Sequence, residues 1–421
     1  MGNKPIIFLP THRSYADFIL MSYLCFTYNI EIPAIAAGMD FYSMWAMGSM
    51  LRDTGAFFMR RSFNNDHLYW DTFRQYIHQL MAEGDLPLEF FIEGTRSRSG
   101  KSLIPKIGLL SMVLKTFYTA VVPDILFVPI NISYDRVLEE KLFAYELLGV
   151  PKPKESTSGF FKSLSIIKEY YGNIYIDFGE PISARNFFSG YLNRSFHNLK
   201  PIHMQEFTEQ EKYLTSKLSN EIVVSQQNCA VITTFNVIAL ALINNCYITG
   251  CKEMKLEDLA QEVAWINENL RYFGTVTELN NLIVDIQNAL NVHKSLVTVT
   301  NEKMVKLVDH CVALKSIDSS QLKGHALSQE TMNSVLPFIM LQIYVNPTLH
   351  RLCNPSMITI IIQRYKVIEK GELFSQYNFL QSLFSHEFIS CSTGNNLVCN
   401  HYSKRFLLME CRRSLKNYYK T

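Results

Sequence analysis

The residues best suited to chemistry are a histidine and an aspartate near the start of the sequence. In the segment Phe8–Asp17, His12 directly follows a predicted strand and Asp17 opens an apolar, helix-like pattern. Residues five apart in one regular helix point about 140° away from each other. The two side chains can therefore touch only if His12 lies in a turn and the helix begins near Ser14. Ser14 as an N-cap, with an acidic residue three positions on, fits that start.

Such a pair has the composition of a general base. Asp17 would accept a hydrogen bond from one imidazole nitrogen of His12, fix the tautomer and stabilise the imidazolium. The other nitrogen would then be available to take a proton from a hydroxyl. A structural role is the alternative, because histidines at strand ends are often hydrogen-bonded core residues and an aspartate here can simply cap its helix.

Two adjacent arginines, Arg60 and Arg61, form a second candidate site at the end of the segment Gly55–Arg61. They follow an apolar run that is typical of a buried strand. Such a strand does not normally end in two neighbouring charges unless an acceptor is present, and arginine binds phosphate well. Exposure of both side chains to solvent is the alternative.

The segment Phe90–Lys101 repeats this order of a strand followed by polar and cationic residues. Gly94 lets the backbone approach a ligand closely. The hydroxyl and cationic side chains that suit phosphate oxygens are Thr95, Ser97, Ser99, Arg96, Arg98 and Lys101. The spacing excludes a P-loop, because no Gly-Lys-Ser/Thr follows at the required distance. A solvated turn is the alternative to a phosphate site.

Glu93 and Pro129 each leave two interpretations open. Glu93, a carboxylate among many cations, either organises the arginines or bonds a substrate hydroxyl. Pro129 lies inside the strand-like run Phe127–Tyr134, and a proline there predicts an edge strand or a bulge with exposed backbone. An extended ligand would fit along such backbone, and a plain edge strand is the alternative.

The elements that must position these residues form an α/β pattern from Pro5 to about Pro181. Short β-branched or aromatic runs alternate with helical stretches, which predicts a mostly parallel or mixed sheet flanked by helices. The predicted strands are Ile6–Leu9, Ile32–Ala36, Ala56–Met59, Leu88–Ile92, Leu126–Ile132 and Ile174–Phe178, and the predicted helices are Phe18–Tyr28, His67–Glu83 and Phe160–Tyr171. The polar clusters follow strand ends, where open α/β sheets usually bind ligands.

The second half of the sequence has a different, helical texture. Apolar residues recur at helical spacing in two runs, Leu214, Leu218 and Ile222, and Leu259, Val263, Ile266 and Leu270. We therefore expect an α/β domain over residues 1–195 and a mainly α-helical C-terminal domain over residues 204–421. The linker is expected within 193–203, where Pro201 and small polar residues cluster.

Composition limits the classes of function. The 421 residues are 48% hydrophobic, and 40 basic against 38 acidic residues give a net charge of only +2. Whole-molecule charge therefore offers no argument for nucleic acid as a partner, and any anion site must be local. The nine cysteines are scattered without the tight pairs of zinc sites, so reduced structural cysteines and no metal site are expected.

Taken together, four segments resemble the four blocks of the glycerol-phosphate acyltransferase superfamily, in order and approximate spacing. His12–Asp17 matches its His-x-x-x-x-Asp block, and Gly55–Arg61 its Gly-x-x-Phe-Ile-x-Arg block, with Met59 in place of isoleucine. Phe91–Ser97 matches its Phe-x-Glu-Gly-Thr-Arg-Ser block and Val128–Ile130 its Val-Pro-Ile block. The resemblance covers the α/β half and, more loosely, the helical remainder.

The resemblance implies direct acyl transfer from acyl-CoA, which is a substrate, without a separate cofactor. His12 and Asp17 would activate the acceptor hydroxyl, which attacks the thioester without a covalent acyl-enzyme. By the same resemblance, the acceptor would be bound by Arg61, Glu93, Gly94, Thr95 and Arg96. Pro129 would lie near acyl-CoA. Additional contacts with the phosphate would come from Arg60, Ser97, Arg98 and Lys101.

The stretches Ser133–Glu140 and Tyr145–Thr157 are most similar to the dihydroxyacetone-phosphate acyltransferases of peroxisomes, which begin ether-lipid synthesis. This similarity implies dihydroxyacetone phosphate (glycerone phosphate) as the acceptor. Mitochondrial and bacterial glycerol-3-phosphate acyltransferases are the nearest alternative. A non-catalytic scaffold that docks on an ether-lipid enzyme, such as alkylglycerone-phosphate synthase, is a further one.

The resemblance also implies a place in the cell and a longer parent protein. It predicts peripheral association with the peroxisomal membrane, with the mitochondrial and endoplasmic-reticulum membranes as alternatives. The sequence itself carries no recognisable address and no uninterrupted apolar run of about 18 residues. Superfamily members have a substantial segment upstream of the histidine, so the resemblance predicts that this chain is a fragment.

Overall fold

The first half of the chain folds around one mixed β-sheet. The computed structural model describes residues 4–39, 42, 47–60, 62, 66–150, 169–201, 204–309, 327–365 and 367–389. The strands of this half are β1 Ile6–Pro10, β2 Ala34–Gly38, β3 Ala56–Met59, β4 Leu88–Glu89, β5 Leu126–Tyr134, β6 Ile174–Phe178 and β7 Ile182–Ser183. Its helices are α1 Ala16–Thr27, α2 Met47–Asp53, α3 His67–Glu83, α4 Ile107–Tyr118, α5 Glu140–Leu147 and α6 Ala184–Phe187, followed by a 3₁₀ turn at Arg194–Leu199.

The strand order places the chain's first strand at the centre of the sheet. The order is β3-β2-β4-β1-β5-β6, with β7 also pairing with β5. β1 pairs in parallel with β4 and β5, β2 pairs in parallel with β3 and β4, and only β6 and β7 run antiparallel to their neighbour. The prediction of a mostly parallel or mixed sheet flanked by helices is confirmed. The carboxyl ends of β1 and β4 therefore lie side by side, and the loops that follow them meet there.

Helix α3 shows how local sequence sets these elements. Phe73, Ile77 and Met81 recur every four residues and form the buried face. The helix begins after Asp66, whose side chain accepts a hydrogen bond from the Tyr69 amide, and it ends at Gly84, which takes a left-handed conformation with φ of 65°. These signals lie in the local sequence, and the predicted helix His67–Glu83 has the observed bounds.

The second half is mainly helical, with short strands between the helices. Its helices are α7 Glu209–Asn228, α8 Thr234–Thr249, α9 Leu256–Tyr272, α10 Leu282–Val292, α11 Gln329–Tyr365 and α12 Lys370–Leu383. Its strands are β8 Val231–Ile232, β9 Glu253–Lys255, β10 Val276–Thr277, β11 Val297–Val299 and β12 Met304–Leu307. Within the described ranges, no helix combines the length and apolar character that crossing a membrane requires.

Two large apolar cores hold the chain together. One lies between the sheet and helices α3, α4 and α7, and it includes Leu214, Leu218 and Ile222. The other joins α5 to helices α8 to α11, and Phe143 of α5 belongs to it. Thus α7 packs on the sheet while α5 packs on the helices of the second half, and the two halves share an extensive interior. The domain boundary near residues 195–204 remains a prediction.

Candidate active site

The turn after β1 carries His12. The Thr11 amide donates to the carbonyl of Ile130 at 2.9 Å, so β1 is held against β5 up to its last residues. The chain then turns, and α1 begins at Ala16. His12 therefore lies outside the helix and Asp17 lies in its first turn, which is the arrangement that contact between them requires.

His12 and Asp17 are in contact and buried. Nδ1 of His12 lies 2.9 Å from Oδ2 of Asp17, and the two side chains are 10% and 0% exposed. The backbone amides of Arg13 and Ser14 also donate to Oδ2, at 2.7 and 2.9 Å. A carboxylate that accepts these bonds favours the tautomer with the proton on Nδ1 of His12. Nε2 then carries a lone pair, so this arrangement can remove a proton from a hydroxyl.

The bonds expected of a cap at Ser14 are present, although the helix begins at Ala16. The Ser14 hydroxyl accepts a hydrogen bond from the Ala16 amide at 3.2 Å, and the Asp17 carboxylate accepts one from the Ser14 amide at 2.9 Å. Tyr15, the residue before the helix, contributes no side-chain cap. The Ser14 hydroxyl also donates to Oε2 of Glu139 at 2.9 Å. Asp17 therefore holds the start of α1 with the same carboxylate that contacts His12.

Aromatic rings hold the imidazole plane. Phe91 stacks on His12 with ring centroids 4.0 Å apart, and Phe18 meets it edge-on at 5.5 Å. Phe91 follows β4 and Phe18 lies on α1, so two separate elements restrain the ring. This packing limits rotation of His12 away from Asp17.

Tyr134 is a third member of the histidine–aspartate network that sequence reasoning missed. Its hydroxyl donates to Oδ1 of Asp17, the oxygen that does not contact His12. Burial and the Asp17 charge raise the pKa of Tyr134 above its usual range, so the phenol keeps its proton. Tyr134 ends β5, and a polar residue at a strand end was the one available signal.

Glu93 organises the turn that carries His12. Oε1 accepts hydrogen bonds from Nη1 of Arg13 at 2.7 Å and from the His12 amide at 3.3 Å. Oε2 accepts one from the Leu103 amide at 3.0 Å. With both oxygens engaged and the residue 1% exposed, the structure favours the organising role over a bond to a substrate hydroxyl.

The cations of the loop after β4 each lie against a carboxylate. Nη1 of Arg96 is 3.3 Å from Glu139, and its guanidinium lies 3.4 Å from the centre of the Tyr15 ring. Arg98 pairs with Glu146, and Lys101 with Glu387 at 2.8 Å. The Ser97 amide donates to the His12 carbonyl at 2.9 Å, which fixes this loop beside the turn that carries His12.

Arg60, which follows β3, is not assembled with the other cations. β3 is an edge strand, three strand spacings or roughly 14 Å from β1. Arg60 pairs there with Asp66 at 2.8 Å and lies over the Tyr69 ring at 4.2 Å, with its side chain 48% exposed. Arg61 lies outside the described residues, so its predicted contact with the acceptor stays a prediction.

Pro129 is not on an edge strand. β5 pairs with β1 on one side and with β6 and β7 on the other. The Pro129 carbonyl accepts a hydrogen bond from the Gly179 amide at 2.8 Å. At this point β5 stops pairing with β6 and starts pairing with β7, so the missing N–H group of the proline costs no hydrogen bond between strands. Pro129 is buried within the sheet, so its expected place near acyl-CoA remains a prediction.

A cavity of about 750 Å³ adjoins the loop after β4. Glu93, Thr95 and Lys101 line it from the loop, and Gln342 and Asn346 line it from α11. Its volume lies within the usual range for small-molecule sites. The cavity lies between the predicted anion-binding segment and the second half of the chain.

Lys106 is the cation of this cavity that sequence reasoning missed. It lines the cavity at the start of α4, and a side chain at Gly94, whose φ is 68°, would come 2.9 Å from its Cγ atom. Among the described residues its ammonium group has no acidic partner, unlike Arg13, Arg96, Arg98 and Lys101. It is therefore available to bind an anion.

Helix α11 fixes the loop from the other side. The Asn346 side chain donates to the Ser99 carbonyl at 2.7 Å. Gly100 has φ of 79°, and a Cβ atom there would collide with the Ile343 carbonyl. Only glycine meets both conditions without strain. The loop is thus built against the second half of the chain.

Comparison with known proteins agrees with this geometry. Residues 143–406 match the family described as "Glycerol-3-phosphate acyltransferase C-terminal region", which is more than half of the chain. The chain belongs to this family. Residues 2–133 match the family described as "Acyltransferase", and they contain His12, Asp17, Glu93 and Arg96.

Individual proteins are similar to this chain over different shares of its length. The chain is 36% identical over 389 residues to the dihydroxyacetone phosphate acyltransferase of Bos taurus, covering 91% of this chain and 55% of that protein. It is 38% identical over 244 residues to the glycerol-3-phosphate acyltransferase of Pseudomonas fluorescens, covering 57% and 28%. The crystal structure of the 1-acyl-sn-glycerophosphate acyltransferase of Thermotoga maritima shares 17% identity and a TM-score of 0.29, over 53% of this chain and 67% of that one. The chain thus spans about half the length of the bovine relative.

Proposed function

We propose that this chain transfers a long-chain acyl group from acyl-CoA to the hydroxyl of a phosphorylated three-carbon acceptor. The observation that carries the proposal is the buried contact of 2.9 Å between His12 and Asp17, which leaves Nε2 of the imidazole available as a base. The name of the bovine relative, a dihydroxyacetone phosphate acyltransferase that shares 36% identity over 91% of the chain, supports the same reaction class.

In the proposed reaction, Nε2 of His12 takes the proton of the acceptor hydroxyl while the oxygen attacks the thioester carbonyl carbon. The carbon–sulfur bond breaks as the ester bond is completed, and the CoA sulfur takes the proton from the imidazolium. Asp17 stabilises the imidazolium between these steps. The proposed reaction needs neither a cofactor nor an acyl-enzyme.

The acceptor phosphate is proposed to bind at the loop after β4. Arg96 lies beside the catalytic turn, Lys106 is an uncommitted cation in the adjoining cavity, and Gly94 and Thr95 are exposed between them. Arg98 and Lys101 are engaged by carboxylates at the outer part of the loop. Phosphate bound here would hold a three-carbon acceptor near His12.

Dihydroxyacetone phosphate is the proposed acceptor. The relatives with that name match nearly the whole chain. The Pseudomonas glycerol-3-phosphate acyltransferase, whose name supports glycerol 3-phosphate as the alternative acceptor, matches only 57% of it. The test is CoA release from palmitoyl-CoA with each acceptor in turn. A higher kcat/KM with dihydroxyacetone phosphate is expected; preference for glycerol 3-phosphate would overturn the assignment, and no transfer to either would favour a non-catalytic scaffold.

Peripheral binding to a lipid surface is proposed through the outer face of α1. Ile19, Tyr23 and Phe26 lie three to four residues apart and are 60%, 66% and 73% exposed. This helix begins at the catalytic turn, and long-chain acyl-CoA and an acylated product both partition to interfaces. An apolar face here would place the site at the surface that holds its substrate.

A peroxisomal membrane and ether-lipid synthesis are the proposed setting, with mitochondrial and endoplasmic-reticulum membranes as alternatives. The name of the bovine relative supports the reaction that would begin this pathway. Alkylglycerone-phosphate synthase, which would consume the product, is the proposed partner. Copurification of the two proteins from peroxisomal membranes tests both proposals, and exclusive recovery with another membrane would contradict the setting.

A further inference from the structure

Glu139 lies at the end of the loop between β5 and α5, and its carboxylate contacts two distant segments at once. Oε2 accepts the Ser14 hydroxyl at 2.9 Å, and Oε1 accepts the Tyr15 amide at 2.8 Å. Nη1 of Arg96 also donates to Oε1, at 3.3 Å. One carboxylate therefore joins the turn that carries His12 to the loop that carries Arg96, although its partners Ser14 and Arg96 are 125 and 43 positions away from it in the sequence.

The guanidinium of Arg96 lies against an aromatic ring, and most of its N–H donors have no hydrogen-bond partner among the described residues. Its guanidinium lies 3.4 Å from the centre of the Tyr15 ring, and the ring of Phe143 lies 5.4 Å away. Of the five N–H donors of a guanidinium, the one bond to a described residue is the contact with Glu139. The side chain is 12% exposed, so an approaching anion meets a desolvated, pre-oriented donor group.

Burial makes the Glu139 carboxylate depend on its hydrogen-bond and charge partners. The Glu139 side chain is 10% exposed. Burial raises the pKa of Glu139, while the bonds from Tyr15 and Ser14 and the charge of Arg96 oppose that rise. A carboxylate in this position needs its partners, and Arg96 is the partner that carries a compensating charge.

We propose that Glu139 is the positioning residue of the acceptor-phosphate arginine. It fixes one edge of Arg96 on Tyr15 and leaves the remaining N–H donors for the phosphate, at a set distance from the His12 turn. The inference rests on the proposed acceptor class. It goes beyond that class because it identifies the residue that orients the phosphate-binding arginine and places it at the start of α5, outside the loop that bears the arginine.

The chain contains a matched control for this role. Glu146 binds Arg98 of the same loop, and its side chain is also buried, at 8% exposed. Among the described residues, however, it forms no hydrogen bond or ion pair with the turn at 12–15, and its ion pair is with Arg98. Glu139→Gln and Glu146→Gln therefore make the same chemical change at two carboxylate–arginine pairs of one loop.

The experiment measures kcat, the acceptor KM and the inhibition constant of inorganic phosphate for both variants. Glu139→Gln is expected to raise the acceptor KM and the phosphate inhibition constant in parallel, each by about tenfold, with kcat changed less than about threefold. Glu146→Gln is expected to leave both binding constants within about twofold. A fall in kcat at unchanged phosphate inhibition would show that Glu139 only supports the catalytic turn, and would overturn the proposal.

Two further measurements keep the proposal independent of turnover and of folding. Calorimetric titration with inorganic phosphate reads the Arg96 site even if the wild-type chain transfers no acyl group, so failure of the proposed reaction is distinguishable. If Glu139→Gln does not fold, Tyr15→Leu removes the ring under the guanidinium and leaves Glu139 in place. It is expected to weaken phosphate binding by a similar factor, and unchanged affinity would contradict the proposal.

Discussion

The Tyr134 hydroxyl donates to one oxygen of Asp17 while His12 occupies the other. The bond joins the last residue of β5 to the first turn of α1 across the central pair of parallel strands. It supports the carboxylate from the side opposite the imidazole contact, and it follows directly from the neighbouring positions of β1 and β5 in the sheet.

Removing this hydroxyl should weaken turnover more than binding. Tyr134→Phe is expected to lower kcat about tenfold, near 1.4 kcal/mol, with both KM values nearly unchanged, because Asp17 loses one charge-assisted bond. Tyr118→Phe is the control, since the buried Tyr118 hydroxyl bonds Thr215 at 3.0 Å in the core. The control should lower the melting temperature and leave kcat unchanged; a raised acceptor KM in Tyr134→Phe would contradict this role.

Loss of the proposed base should abolish most turnover. His12→Gln is expected to lower kcat by at least ~10²-fold in the CoA-release assay. The chain supplies a matched buried histidine–carboxylate pair, in which Nε2 of His197 lies 2.7 Å from Glu211. His197→Gln should reduce stability without reducing kcat. Retained turnover in His12→Gln would remove His12 from the role of base.

Glu89 should make stability fall with rising pH. It is fully buried on β4, and neither carboxylate oxygen has a partner among the described residues. Burial and, second, the Asp17 charge raise its pKa from 4.5 to about 8. Between these values the unfolded chain has released the proton and the folded chain retains it, so stability decreases by up to about 1.4 kcal/mol per pH unit.

The test compares melting temperatures from pH 4.5 to 8. Glu89→Gln is expected to become progressively more stable than wild type across this window, because the neutral amide has no proton to release. Glu31→Gln, on an exposed glutamate, should follow the wild-type curve. Parallel curves for wild type and Glu89→Gln would show that Glu89 is already ionised in the folded chain.

Lys106 should contribute to acceptor affinity through its charge. Lys106→Gln is expected to raise the acceptor KM roughly three- to tenfold and to reduce the dependence of that KM on added salt. Lys101→Gln is the control in the same cavity, since Lys101 already pairs with Glu387. A larger effect of Lys101→Gln would assign the phosphate to the outer part of the loop.

The apolar face of α1 should determine lipid binding. Tyr23→Ser combined with Phe26→Ser is expected to reduce flotation with anionic and neutral liposomes several-fold, because it removes exposed apolar area. Tyr247→Ser combined with Ile248→Ser is the control, since these two large apolar side chains are 90% and 71% exposed on α8. Equal losses from both pairs would indicate non-specific adsorption.

Local sequence was enough to place several elements and the dyad. β3, α3 and β6 have the predicted bounds, and the spacing of five residues showed that His12 and Asp17 can touch only across a turn, which is where they are. Strand β4 was predicted to reach Ile92 and ends at Glu89, because the chain leaves the sheet to form the loop. Short-range periodicity carries such information, whereas the end of a strand depends on its neighbours.

The long-range partners were not predictable from the sequence alone. Tyr134 and Glu139 reach the site because β5 pairs with β1, and strand order is a property of the whole sheet. The same order places Arg60 at the sheet edge, and it gives Pro129 strand neighbours on both sides. A sequence pattern shows that a charge or a proline ends or interrupts a strand, but not which strand lies beside it.

The bond from Asn346 to the Ser99 carbonyl has a consequence for the order in which the protein folds. The dyad closes a loop of five residues, whereas this bond closes one of 247. Loop-closure entropy therefore lets the His12 turn form early and delays the loop after β4 until α11 has docked. We expect that a chain still in synthesis can form the contact between His12 and Asp17 but cannot yet bind an acceptor, so that acyl transfer becomes possible only after α11 has docked.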